Sequence, residues 1–293
     1  MAQLRDKALL IELNLKKWSG VKTDKSLRDE LADNHSIDET RLTVNKKLTN
    51  SPILKEIKKI DGKIRTDVIY SGAGYSGYCL AWDNQGTYLL PIELKDRFEK
   101  DFTGYQNDRE KLVKDFVKQY DSIVAEAKTD LGTAFNLSDF PDRDEIEGLF
   151  ECSIYKKPIP SSDDIRVNLP ANEIAELKAN AKAEEDAKVE KITGAVVDKV
   201  KGVCKHFADK IDSGETFRDK TVEKLIELCE VLPALNINGD ASIQAVHQKA
   251  MDTFYSRDLT ADKVRDDKEL AKELSDTAKD IVSDLDKKVG YFD

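Results

Sequence analysis

The chain has 293 residues, of which 35% are charged and 40% hydrophobic, and its formal net charge is -10. The apolar fraction excludes a chain that is disordered throughout. The acidic balance excludes general nucleic-acid binding, because phosphate contacts need a basic face.

The first residues, Met-Ala-Gln-Leu-Arg-Asp-Lys, do not follow the plan of a signal peptide. Ala8 to Leu15 is interrupted by Glu12 and Asn14 and is too short to span a bilayer, so a cytoplasmic protein is expected. Leu9, Ile11, Leu13 and Leu15 alternate with their neighbours and predict a short strand, which Trp18-Ser-Gly20 breaks. Asp24 is a candidate cap for a helix carrying Leu27 and Leu31. Ser51-Pro52 is a second helix start, with Ile53, Ile57, Ile60 and Ile64 on one face. Lys55, Lys58, Lys59, Lys63 and Arg65 form a local basic run, which suits a solvated helix face.

An apolar, glycine-rich island follows, from Tyr70 to Pro91. Tyr78 to Trp82 and Thr87 to Leu90 read as two strands joined by the loop Asp83-Asn-Gln-Gly86. Gly72-Ala-Gly74-Tyr-Ser-Gly77 matches the dinucleotide pattern in spacing. The residues after it look like strand, not the helix such a site requires, so tight turns and close backbone approach are the preferred use of these glycines. The aromatics Tyr75, Tyr78, Trp82 and Tyr88 are assigned as a partner-binding surface, with a membrane-entering tongue and packing on the helices as the alternatives.

A long helix is predicted from Ile92 to Leu131, striped by Phe98, Phe102, Tyr105, Leu112, Phe116, Tyr120, Ile123 and Ala127, with Gly104 as its weak point. A second irregular region spans residues 132–170. Strands are expected there over Leu149 to Tyr155 and Ile165 to Leu169, as a second hairpin or as an addition to the first island's sheet. Another long helix follows Pro170 and stops at Ser213-Gly214. Shorter ones run from Thr216 to Val231, ending at Pro233, then from Ala241 to Tyr255 and from Ala261 to Val289. These elements predict a mainly helical α+β fold: an elongated bundle of long antiparallel helices with one or two β-hairpins at one end. The division expected is an N-terminal region, 1–170, and a C-terminal helical region, 171–293, packed as one elongated unit.

Signals for chemistry are sparse. The three histidines and the isolated Cys204-Lys-His206 pair lack zinc spacing, and no P-loop, nucleophile elbow or EF-hand loop is present. The four cysteines show no paired spacing and read as reduced structural thiols. Asp139, Asp142, Asp144, Glu145 and Glu147 cluster near Pro141, where an exposed turn is favoured over a metal-dependent enzyme site. No catalytic, cofactor-binding or metal residue is assigned, and a non-enzymatic protein is expected.

Leu13-Asn-Leu-Lys-Lys-Trp-Ser-Gly20, with Tyr88-Leu-Leu-Pro91 ahead of the helix ending near Tyr120, resembles a domain-of-unknown-function family of bacteriophage and plasmid proteins over about the first half of the chain. Members of that family tend to be encoded near MoxR- or CobS-like AAA+ ATPases and von Willebrand A-like proteins. The resemblance implies a phage accessory protein in the host bacterial cytosol, a scaffold or adaptor that self-associates or docks onto such an ATPase. It carries no catalytic residues to this chain. The alternative function is a helical pore-forming-like protein with residues 70–90 as its tongue.

Overall fold

Alternating apolar residues near the start do form a strand. In the computed structural model a short helix α1 (Ala2–Lys7) leads into β1 (Ala8–Lys16). The structure describes residues 2–70, 76–161, 169–214, 218–257 and 259–289. β2 (Val21–Thr23) precedes α2 (Lys25–His35), whose cap is Asp24, accepting from the Leu27 N–H at 3.0 Å. β3 (Asn45–Lys47) pairs antiparallel with β2. α3 (Pro52–Lys63) runs into a π-helical turn, Ile64–Ile69. β4 (Leu80–Ala81) and β5 (Thr87–Pro91) are the predicted hairpin, with Leu80 opposite Leu89 and Ala81 opposite Tyr88. The Asp83 carboxylate accepts from the N–H groups of Gln85 and Thr87, and Gly86 supplies the positive φ of 95° that the turn needs.

The predicted helix over 92–131 is divided into α4 (Lys95–Lys118) and α5 (Tyr120–Leu131). The break falls at Gln119, whose N–H reaches the carbonyls of Asp115 at 3.3 Å and Phe116 at 3.1 Å; the helix passes Gly104 unbroken. β6 (Glu151–Lys157) joins the first island's sheet, in the order β4-β5-β1-β6. Its expected neighbour at 165–169 lies outside the described residues apart from Leu169, which is not in a strand. α6 (Ala171–Asp212) follows Pro170 as predicted. α7 (Asp219–Leu235), α8 (Ala241–Ala250), α9 (Ala261–Asp266) and α10 (Lys268–Val289) follow, the last two being the single helix expected over Ala261 to Val289, broken at the extended Asp267. Of the described residues 69% are helical and 12% in strands, which defines a mainly helical α+β fold with a four-stranded antiparallel sheet and a separate hairpin.

Pro233 corrects one expected boundary, for it lies inside α7, not beyond its end. Proline has no N–H, so it cannot donate to the carbonyl four residues back, that of Cys229. The His247 imidazole of α8 donates to that oxygen instead, at 3.1 Å. The helix therefore continues for two more residues with its orphaned acceptor satisfied.

The residues group into two compact units. One comprises residues 1–13, 64–102 and 154–293, and the other 14–63 and 103–153. The first contains the whole of 171–293 together with stretches from the first 102 residues. In it α10 packs along α6, and the pairs Lys201 to Asp286 and Asp212 to Lys279 show that the two helices are antiparallel. Its interior holds Ile11, Leu80, Leu89, Leu90 and Phe98, with Phe207 and Phe254 in ring contact at 6.3 Å.

The second unit is built around Trp18, which meets Phe116 at 5.9 Å, Tyr120 edge-on at 6.0 Å and Phe140 at 6.4 Å. Leu48, Leu54, Ile57, Ile123 and Ile146 surround them. The α3 stripe Leu54, Ile57 contains a buried carboxylate, Asp61. Arg109 of α4 donates to it through Nε at 2.7 Å, and Lys17 through Nζ at 3.0 Å. Arg109 also donates to the Lys16 carbonyl at 2.6 Å and lies over the Phe150 ring.

Candidate functional site

The glycine-rich island belongs to the first unit, where the chain leaves the π-helical turn and doubles back on it. The N–H groups of Ser76, Tyr78 and Cys79 donate to the carbonyls of Thr66, Val68 and Ile69. Gly77 N–H donates to the Tyr70 carbonyl at 3.1 Å, and a Cβ on Gly77 would lie 2.4 Å from that same oxygen. Glycine is required here for close backbone approach. Gly72, Gly74 and Tyr75 lie outside the described residues. The next element after Gly77 is strand β4, not a helix.

Tyr78 and Trp82 are both buried, while Tyr88 is half-buried across from Ala81. The Tyr78 hydroxyl donates to Asp101 Oδ2 at 2.6 Å. Burial, and then this carboxylate, pushes the phenol's pKa well above its ordinary value. Over Trp82 lies the Lys188 ammonium of α6, 5.0 Å from the ring centroid. The Lys191 ammonium donates to Asn84 Oδ1 at 3.0 Å, so α6 covers this side of the hairpin. Two of the three described aromatics therefore face the interior of their own unit. The exposed part of the hairpin is its tip, Asn84 to Gly86.

Behind the hairpin lies a polar group not anticipated from the sequence. Lys199 of α6 is only 4% exposed. Burial pulls its ammonium down to a pKa of about 8, against the opposing pull of Glu227 on α7. The Glu227 carboxyl is raised by burial, with Lys199 and a hydrogen bond from Ser76 acting the other way. The available signal was Lys199 itself, which interrupts the run Val196, Val200, Val203. A lysine of lowered pKa is what general-base or Schiff-base chemistry requires. At 4% exposure Lys199 gives a substrate no direct approach, and its arrangement suits a buried structural charge.

One member of the acidic cluster near Pro141 is engaged by a distant part of the chain. Asp139 pairs with Lys46 at 2.7 Å, and Lys46 reaches Asp24 at 3.2 Å. Among the described residues no group of three or more His, Cys, Asp or Glu side chains is placed to hold a metal ion. All four cysteines are free thiols, and burial pushes Cys204 and Cys229 up to about 12. Among the described residues no helix is long and apolar enough to cross a membrane.

Comparison with protein-family models, curated proteins and solved structures finds no match for this chain.

Proposed function

We propose that the chain is a non-enzymatic scaffold or adaptor that docks onto a partner protein through the start of α6, residues 171–184. The observation that carries this reading is the uneven burial of that helix. Its buried residues begin at Ile192, and residues 171–190 include none. That stretch is about 30 Å of helix at 1.5 Å per residue. It displays Ile174, Leu177 and Ala181 in one stripe, with Leu177 41% exposed. Helices draw most of their stability from a packed apolar face, so a stripe left open on a long helix is suited to a partner.

The burial of Tyr78 and Trp82 moves the proposed contact surface away from the aromatic island. The resemblance to phage and plasmid proteins supplies the partner class, a MoxR- or CobS-like AAA+ ATPase or a von Willebrand A-like protein, with a second copy of the chain as the self-associating form. The test is co-expression with a MoxR-like AAA+ ATPase, followed by size-exclusion chromatography with light scattering. The wild type is expected to co-elute or self-associate. Ile174→Glu with Leu177→Glu is expected to abolish this while leaving helicity unchanged. A wild type that stays monomeric and unbound, or a variant that binds equally well, refutes the reading.

A further inference from the structure

Where α6 ends beside α9 and the start of α10, the first unit contains a cleft of about 640 Å³. That volume is in the range of small-ligand sites. Its floor is apolar, with Val264 and Ala271 buried and Ile211 half-buried. Its walls carry Lys210, Arg265, Lys268, Lys272 and Lys279 against two carboxylates, Asp212 and Asp276. The lining is therefore net +3 on a chain whose net charge is -10.

The carboxylates do not cancel this field evenly. Asp212 is engaged by Lys279 at 2.7 Å and by the buried Ser275 hydroxyl at 3.0 Å. Asp276 lies 3.8 Å from the same Lys279. Arg265 pairs with Asp262 and reaches Asp219 at 3.3 Å. Lys268 and Lys272, one turn apart on α10, make no ion pair among the described residues. Two exposed ammonium groups on one face thus stand over an apolar floor.

We propose that this cleft binds a soluble organic phosphate, with its apolar body on Ile211, Val264 and Ala271 and its phosphate between Lys268 and Lys272. A dianionic phosphate matches the surplus charge, and lysines bind it as mobile point charges. An anion without an apolar body leaves the floor unused, and a neutral apolar molecule leaves the lysines unused.

The probe is 1-naphthyl phosphate, titrated calorimetrically into the full chain beside inorganic phosphate and 1-naphthol. One-to-one binding of naphthyl phosphate is expected, roughly tenfold or more tighter than either fragment, and weakened by salt. Lys268→Glu with Lys272→Glu is expected to raise its Kd by roughly tenfold or more. Both side chains are exposed, so circular dichroism should match the wild type. Lys111→Glu with Lys118→Glu, two exposed lysines of α4 in the second unit, serves as the charge control and should leave Kd unchanged. The proposal is overturned if naphthyl phosphate does not bind, if inorganic phosphate binds as tightly, or if the control pair weakens binding as much as the cleft pair.

Discussion

Replacing Asp61 by Asn keeps the side chain's shape and removes its charge from one of the most enclosed places in the second unit. Asp61 is 1% exposed and Arg109 is 2% exposed. Breaking a buried pair of this kind costs about 3–5 kcal/mol, because the remaining charge is left uncompensated. The geometry places this case near the lower end. Arg109 retains the Lys16 carbonyl at 2.6 Å, the Asn amide oxygen can still accept one hydrogen bond, and the Lys17 side chain, 32% exposed, can turn to water. About 3 kcal/mol is expected, an order of 1 M in the urea midpoint for a slope near 2–3 kcal/mol/M. The assay exploits the two tryptophans, since Trp18 lies in this unit and Trp82 in the other. In a Trp82→Phe background, Trp18 emission follows the second unit alone. Arg109→Met combined with Asp61→Leu should recover most of the loss, because an apolar pair of similar volume is often neutral or stabilising. A loss below about 1 kcal/mol for Asp61→Asn, or a double variant as damaged as the single, would refute the uncompensated-charge argument.

Trp82→Ala should cost about 3–5 kcal/mol as a large-to-small core change. Thermal melting of the first unit checks this, and an unshifted midpoint would return Trp82 to the surface. Lys199 has a folded-state pKa near 8, below the value of about 10.4 for a free lysine, so the unfolded state holds more protons between those values and stability rises with pH there. Relative to Lys199→Met, the wild type should therefore gain on the order of 3 kcal/mol between pH 8 and 10.4, read as the difference between their denaturation curves; a constant difference would exclude a depressed Lys199. His247→Ala should cost about 1–3 kcal/mol by leaving the Cys229 carbonyl unpaired. Pro233→Ala should reduce that penalty by restoring the backbone donor; urea midpoints of the two single variants and the double would show no coupling if the carbonyl is satisfied some other way.

Periodicity made the frame legible. The stripe of α4, the alternation in β1 and the Asp-Asn-Gln-Gly hairpin loop are local patterns, and a helix, a strand and a hairpin form where those patterns place them, although Gln119 breaks the helix and Tyr105 and Leu112 of its stripe are only half-buried. What escaped is what depends on partners distant in sequence. Asp61 and Lys199 sit where a stripe calls for an apolar residue, and nothing adjacent indicates that Arg109 lies across from one and Glu227 near the other. Pro233 normally ends a helix; here it does not, because His247, fourteen positions later, takes the acceptor it orphans. The aromatic density of the island was equally visible, but density does not reveal exposure, and α6 lies over Trp82. The same limit applies within α6. Ile174, Leu177 and Ala181 follow the rule that also places Val196, Val200 and Val203, yet only the latter three are buried. A stripe states which face is apolar and leaves open what covers it. The contrast between the two ends of one helix is therefore structural information, and the open start of α6 is the place to look for a partner.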